Sequence, residues 1–189
     1  MKKLLLGSIL GGLVIFIWQF LSFSLLELHR PSTQYTPKQA EVLSYLNTQF
    51  DKSGSYLLPN YPDNASMDVQ QKLNEQSMGK PWAIISYHTS MDANMTMNMI
   101  RGLMVNIFMV ALLCMIISRL ARKTFANILQ VSLAVGLIIF LNVPYTNHIW
   151  FQSFDLNAYL VDALVAWGLT GLILGAVYRD RNIVPRNNE

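Results

Sequence analysis

Apolar residues along this chain are gathered into four blocks, at positions 4–26, 102–118, 125–143 and 157–178. Crossing the roughly 30 Å of bilayer hydrocarbon takes about 20 apolar residues as a helix, within a range of about 17 to 25. Each block approaches or exceeds that length, so the pattern predicts four membrane-spanning helices. A polar stretch of about seventy residues separates the first block from the second.

That stretch has its own punctuation. Thr36 and Pro37 suit the first positions of a helix, and Val42, Leu43, Leu46 and Phe50 follow at helical spacing. "DKSG" stops it, "SYLLP" reads as a short strand, and "NYPDN" as a turn. Ser66 is placed to cap a second helix, with Asp68 in its first turn and Gly79 beyond its end, and "PWAIISYH" closes the segment as a second strand. The fold class expected is an all-α transmembrane bundle of four helices with a small external α/β cap in the order helix, strand, helix, strand. A two-stranded sheet is marginal alone, so the cap is expected to lean on the bundle.

Composition agrees with the pattern. The 189 residues are 52% apolar and only 13% charged, and segregation into blocks marks a membrane protein. Charge then sets orientation. Lys2 and Lys3 precede the first block, Arg119, Arg122 and Lys123 lie between the second and third, and Arg179, Arg181 and Arg186 follow the fourth. The long polar segment dilutes Arg30, Lys38, Lys52, Lys72 and Lys80 among acids, and the loop from Tyr145 to Leu156 holds no Lys or Arg. Short loops rich in Lys and Arg stay cytoplasmic, so both termini are expected in the cytoplasm and the long segment outside.

The first block is longer than the apolar region of a signal peptide and ends without an A-x-A-like cleavage site, so it reads as a retained signal anchor. The organisation expected is span 1 at 1–28, an external cap at 29–90, span 2 at 91–118, a cytoplasmic loop at 119–124, span 3 at 125–143, an external loop at 144–156, span 4 at 157–178 and a cytoplasmic tail at 179–189. Gly7 with Gly11, and Gly168, Gly171 and Gly175, have the small-residue spacing that lets helices approach closely. Their alternatives are packing within the bundle or a homodimer face. Trp18, Trp150, Phe151, Phe154 and Tyr159 read as interfacial anchors.

Ionisable residues inside the blocks carry more information, because a charge in hydrocarbon costs about 2.5–3.5 kcal/mol by insertion scales and usually has a partner. Asp162 lies just inside the outer end of the fourth block and Arg101 at a similar depth in the second. They are expected to form a structural polar pair, or to share a pocket with Asn98, Asn106 or Asn142; the alternative is that both reach the headgroup layer by snorkelling.

The stretch "HTSMDANMTMNMIRGLM", residues 88–104, holds five methionines and a histidine. Ser90 suits a helix cap, which would start span 2 near Met91 and place Met91, Met95 and Met99 on one face. Thioethers and imidazole favour Cu(I), so His88, Met91, Met95 and Met99 form a candidate soft-metal (copper) site. His29 and His148 are predicted on the same side and are available to complete it. Methionine is also a good helix former and an adaptable filler, so the bland reading is structural.

Enzyme signatures are missing: no G-x-S-x-G, Walker-type loop, H-E-x-x-H or C-x-x-C occurs. No catalytic residue or cofactor is expected. The one cysteine, Cys114, lies within the second block and has no disulfide partner. Nucleic-acid binding has no support, since the basic residues sit where topology alone requires them. The partner called for is the lipid bilayer, with other membrane-protein subunits as candidates.

The combination of "GGLVIFIWQFLSFSLL" leading to His29, "SGSYLLP", "MTMNMIRGLMVN" and "HIWFQSFDLNAYLVDALVAWGLTGLILG" resembles a group of small bacterial inner-membrane proteins with four predicted spans. The resemblance implies a multi-pass protein of the bacterial inner membrane. That group has no agreed activity, so the resemblance adds no residue roles. The function expected is an accessory or structural membrane component, with copper handling or a small transporter subunit as alternatives.

Overall fold

The computed structural model describes residues 1–179, so Arg181 and Arg186 of the expected cytoplasmic tail lie outside the described residues. The chain divides into two compact units, one formed by Met1–Gln34 together with the chain from Asn94, the other by Tyr35–Ala93.

The first unit is helical. Helix α1 spans Lys2–Phe20 and continues as a π-helical turn over Leu21–Leu25. After the second unit, which contains α2 (Gln39–Gln49), α3 (Met67–Ser77) and two strands, come α4 (Met95–Ser118), α5 (Phe125–Phe140) with its own π-turn at Leu141–Tyr145, α6 (Thr146–Trp150) and α7 (Leu156–Tyr178). Four of the resulting helical stretches, Lys2–Leu25, Met95–Ser118, Phe125–Trp150 and Leu156–Tyr178, are long and apolar enough to cross a membrane. Helix α1 packs against both α4 and α7, and α7 packs on α5.

This unit differs from a water-soluble bundle in having an apolar outer surface and many small residues at its helix contacts. Small and polar residues point inward: Gly7, Ser8, Gly11 and Gly12 of α1, Ser132 and Gly136 of α5, Thr170, Gly171 and Gly175 of α7. Large apolar side chains such as Leu5, Ile9, Phe20, Phe108, Leu112 and Ile138 are exposed. Contact between small residues suits helices whose outer faces meet lipid, where exposing leucine costs nothing and close backbone approach is the main source of association. The inward hydroxyls of Ser8, Ser132 and Thr170 each donate to a carbonyl four residues earlier, 2.7–2.8 Å away. The apolar core around them is built from Ile15, Val110, Leu113, Ile117, Ile128, Trp167 and Leu174.

The glycine faces noted in the sequence meet neighbouring helices of the same chain. A Cβ at Gly11 would stand 2.7 Å from Val110, and one at Gly175 2.6 Å from the Phe125 ring. The closest approaches to the backbone of a neighbouring helix occur at two glycines outside that pattern. A Cβ at Gly12 would lie 2.7 Å from the Ile107 Cα, and one at Gly136 2.7 Å from the Ala163 carbonyl oxygen.

Two spans differ from their expected limits. Helix α4 begins at Met95, capped by Asn94, whose side-chain oxygen accepts from the Met97 N–H at 3.0 Å. Ser90 and Asn94 are comparable capping residues, and the helix takes the one nearer the apolar block. The third span continues past Val143 to Trp150. Pro144 sits inside its π-turn, where the wider ring tolerates the missing N–H, and Thr146 Oγ1 donates to the Leu141 carbonyl at 2.7 Å.

The second unit has the order read from the sequence. Helix α2 spans Gln39–Gln49, β1 Gly54–Leu58, α3 Met67–Ser77 and β2 Ala83–Tyr87. The strands pair antiparallel, with Gly54 opposite Tyr87 and Leu58 opposite Ala83. Phe50 stacks on Tyr56 with ring centroids 3.9 Å apart, and the buried Tyr87 donates its hydroxyl to Asn47 Oδ1 at 2.8 Å. Helix α2 starts two residues after Pro37, and the Ser66 side chain makes no capping bond to α3. Gly79 follows α3 in the left-handed region (φ 74°), the conformation that glycine adopts without strain.

Candidate functional site: a histidine held between two carboxylates

Where the first helix ends, the chain curls back over it. The π-turn carries Ser22 inward, Glu27 takes a positive φ of 49°, and the Leu28 N–H returns to the Ser22 carbonyl at 2.9 Å. A 3₁₀ turn at Arg30–Ser32 follows. This path leaves His29 only 4% exposed.

Both ring nitrogens of His29 meet carboxylates. Nδ1 lies 2.8 Å from Asp155 Oδ2 and Nε2 lies 2.9 Å from Asp162 Oδ2. The two aspartates stand seven residues apart, at the entry and in the second turn of α7. Two helical turns rise about 10 Å, so i and i+7 place two carboxylates on one face with room for an imidazole between them. Tyr159, between them in sequence, meets the ring edge-on at 4.6 Å, and Phe23 stacks on it at 3.8 Å.

Asp162 gathers more donors. Its Oδ1 accepts from Trp18 Nε1 at 2.9 Å and from Ser22 Oγ at 2.7 Å. Trp18 and Ser22 are one turn apart on the α1 helix and its π-turn, so one face of the first span supplies both. Trp18 and Tyr159, read from the sequence as interfacial anchors, both contact this polar centre.

Proton counting fixes the charge of the trio. An ionised carboxylate only accepts, and a neutral imidazole has a single N–H. Two good hydrogen bonds therefore require either an imidazolium between two carboxylates or a neutral ring with one carboxyl protonated. Either arrangement carries one net negative charge. For Asp155, burial raises the carboxyl pKa, but hydrogen bonds from His29 and Ser32, the His29 charge and its own backbone together outweigh burial and hold it below the ordinary value.

Beside Asp162 lies a partly open cavity of about 250 Å³. Trp18, Phe23, Phe140, Tyr159 and Trp167 contribute aromatic wall, and Pro144 of the second π-turn closes one side.

The expected pairing of Asp162 with Arg101 does not form. The Asp162 oxygens are held by Trp18, Ser22 and His29, while Arg101 is exposed and makes no ion pair with it among the described residues. Asn106 pairs instead with Gln19, at 2.8 Å. The copper candidates are also redistributed. Met91 precedes α4 and leaves only Met95 and Met99 one turn apart on that helix, both exposed. His88 and Met91 belong to the α/β unit, Met95 and Met99 to the helical one. Of the other histidines, His29 has both ring nitrogens engaged, and His148 Nδ1 accepts from the Ser153 N–H at 3.1 Å. The His29 trio is itself no metal cage, because its carboxylates lie on opposite edges of the ring.

Sequence reasoning named Asp162 but gave it the wrong partner; it offered His29 only as a completing ligand for the copper site and did not place Asp155 in any site. The available signal was the i, i+7 aspartate pair at the start of an apolar helix. Comparison with protein-family models, curated proteins and solved structures finds no match to this chain.

Proposed function

We propose that this chain is a multi-pass protein of the bacterial inner membrane, with both termini cytoplasmic and the α/β unit outside, acting as an accessory or structural component rather than an enzyme. The observation that carries this reading is the use made of its densest polar chemistry. His29, Asp155, Asp162, Trp18 and Ser22 bond one another and tie the end of the first span to the start of the fourth. Groups so fully engaged serve to hold segments in place. The four long apolar helices support the membrane location, and the Lys and Arg distribution supports the orientation.

The test is co-purification of the full chain in a mild non-ionic detergent, with native electrophoresis, mass spectrometry and metal analysis on one sample. An accessory protein migrates with a second membrane protein in fixed ratio. Migration alone at its own mass overturns the accessory reading, and stoichiometric copper lost on His88→Ala with Met95→Ala moves the assignment to metal handling. Single cysteines introduced at Ser55 or Arg122 in a Cys114→Ser background, labelled from either side, check topology.

One observation favours a second reading, a small transporter subunit. The Asp162 carboxylate borders a partly open cavity lined by residues of the helices, and an ionisable group within a membrane segment commonly marks a substrate or ion pathway.

A further inference from the structure

The cavity and the trio have to be considered together. The His29 side chain and the Asp155 side chain are 4% and 6% exposed, whereas Asp162 is 17% exposed and is the member that lines the cavity. Its Oδ1 already takes two donors, but Oδ2 takes only the His29 ring, and a carboxylate has about four acceptor directions. One acceptor direction at Oδ2 is therefore unfilled. The trio carries one net negative charge, and no Lys or Arg lines the cavity to offset it. Around that charge stand Trp18, Phe23, Phe140, Tyr159 and Trp167. Aromatic faces carry negative electrostatic potential and attract cations, most strongly where water is excluded.

From this combination we propose that the cavity beside Asp162 binds a small organic cation, with an ammonium group against Oδ2 and its apolar body among the aromatic side chains. A neutral guest leaves the trio's charge uncompensated, and an anion is repelled by it. Protonated amines and ethanolamine headgroups would donate to Oδ2, while the trimethylammonium of choline, which has no N–H, would meet the same charge and aromatic faces by electrostatic contact. The site exists whether or not the chain also transports what it binds, so its test is one of binding alone.

The experiment uses the full chain in non-ionic detergent micelles, with empty micelles as the blank, and saturation-transfer NMR as the readout. Benzyltrimethylammonium is compared with its neutral carbon isostere, neopentylbenzene. The cation is expected to bind roughly tenfold more tightly or better, and Asp162→Asn, which keeps an acceptor for Trp18 and Ser22, to abolish that preference while leaving binding of the isostere. Phe140→Leu is expected to weaken the cation severalfold. Displacement by a short-chain phosphatidylcholine assigns the site to a lipid headgroup, and its absence assigns it to free amines; the site stands in both cases. Equal binding of cation and isostere by the unsubstituted chain, or binding of neither, overturns the proposal without depending on whether any variant folds. So does a preference that survives Asp162→Asn.

Discussion

Replacing His29 with alanine removes the bridge between the two ends of the structure it joins, and two magnitudes compete in predicting the cost. Hydrogen bonds between helices in membranes average only ~0.6 kcal/mol, so two of them sum to ~1.2 kcal/mol. Breaking a buried charged pair by removing one partner costs about 3–5 kcal/mol, because the remaining charge is left without compensation. The second applies here. His29 and Asp155 are almost wholly buried, and without the ring the trio's net negative charge loses the group that donates to it. The alanine also forfeits the Phe23 stack. The expected loss is about 3–5 kcal/mol, read from dodecyl sulfate unfolding in mixed micelles followed by far-UV circular dichroism. Asp155→Asn in the same background removes the charge left unpaired, so the double variant should be more stable than additivity predicts by at least ~1 kcal/mol. A His29→Ala loss under ~1 kcal/mol, or a strictly additive cycle, refutes the reasoning.

The remaining predictions use the same unfolding assay unless stated. Gly12→Ala and Gly136→Ala, each of which pushes a Cβ to 2.7 Å from backbone atoms of another helix, should cost about 1–3 kcal/mol. Gly168→Ala meets only Leu133 Cδ2, at an ordinary 3.5 Å, and should be neutral or stabilising by up to about 1 kcal/mol; equal effects at all three would contradict the packing described. Because the Asp155 pKa is lowered in the folded chain, its contribution is fully present above the unfolded value of about 3.9 and is lost as pH falls through the lower folded value. Thermal melting from pH 6 downward should show that acid loss, and Asp155→Asn should flatten it. Arg101→Ala and Asp162→Asn should add within about 0.5 kcal/mol, since the two do not pair; coupling beyond that would restore the pairing.

Much of the architecture was legible along the chain because each apolar block is longer than a soluble helix needs and each element of the α/β unit has a local cap, stop or turn. The errors fall where two local signals competed. Ser90 and Asn94 are both good caps, and nothing within a turn of either one decides between them; Pro144 reads as a terminator until a π-turn absorbs it. Asp162 was recognisable as anomalous because a carboxylate within an apolar helix needs a partner. Its partners lie 133, 140 and 144 residues earlier in the chain, at His29, Ser22 and Trp18, and spacing along a helix says nothing about separations of that size.

Local periodicity, caps and the placement of Lys and Arg determine by themselves how many apolar helices this chain has, roughly where each begins, and the order of elements in the α/β unit, since those depend on interactions within a few residues. Only the tertiary structure decided what the polar residues inside the bundle do. The left-handed turn at Glu27 swings His29 onto the face of α7 where Asp155 and Asp162 stand two turns apart, and the packing of α1 on α7 brings Trp18 and Ser22 to the same carboxylate. A buried charge is satisfied by whatever the fold carries to within 3 Å of it, and that distance is a property of the packed helices.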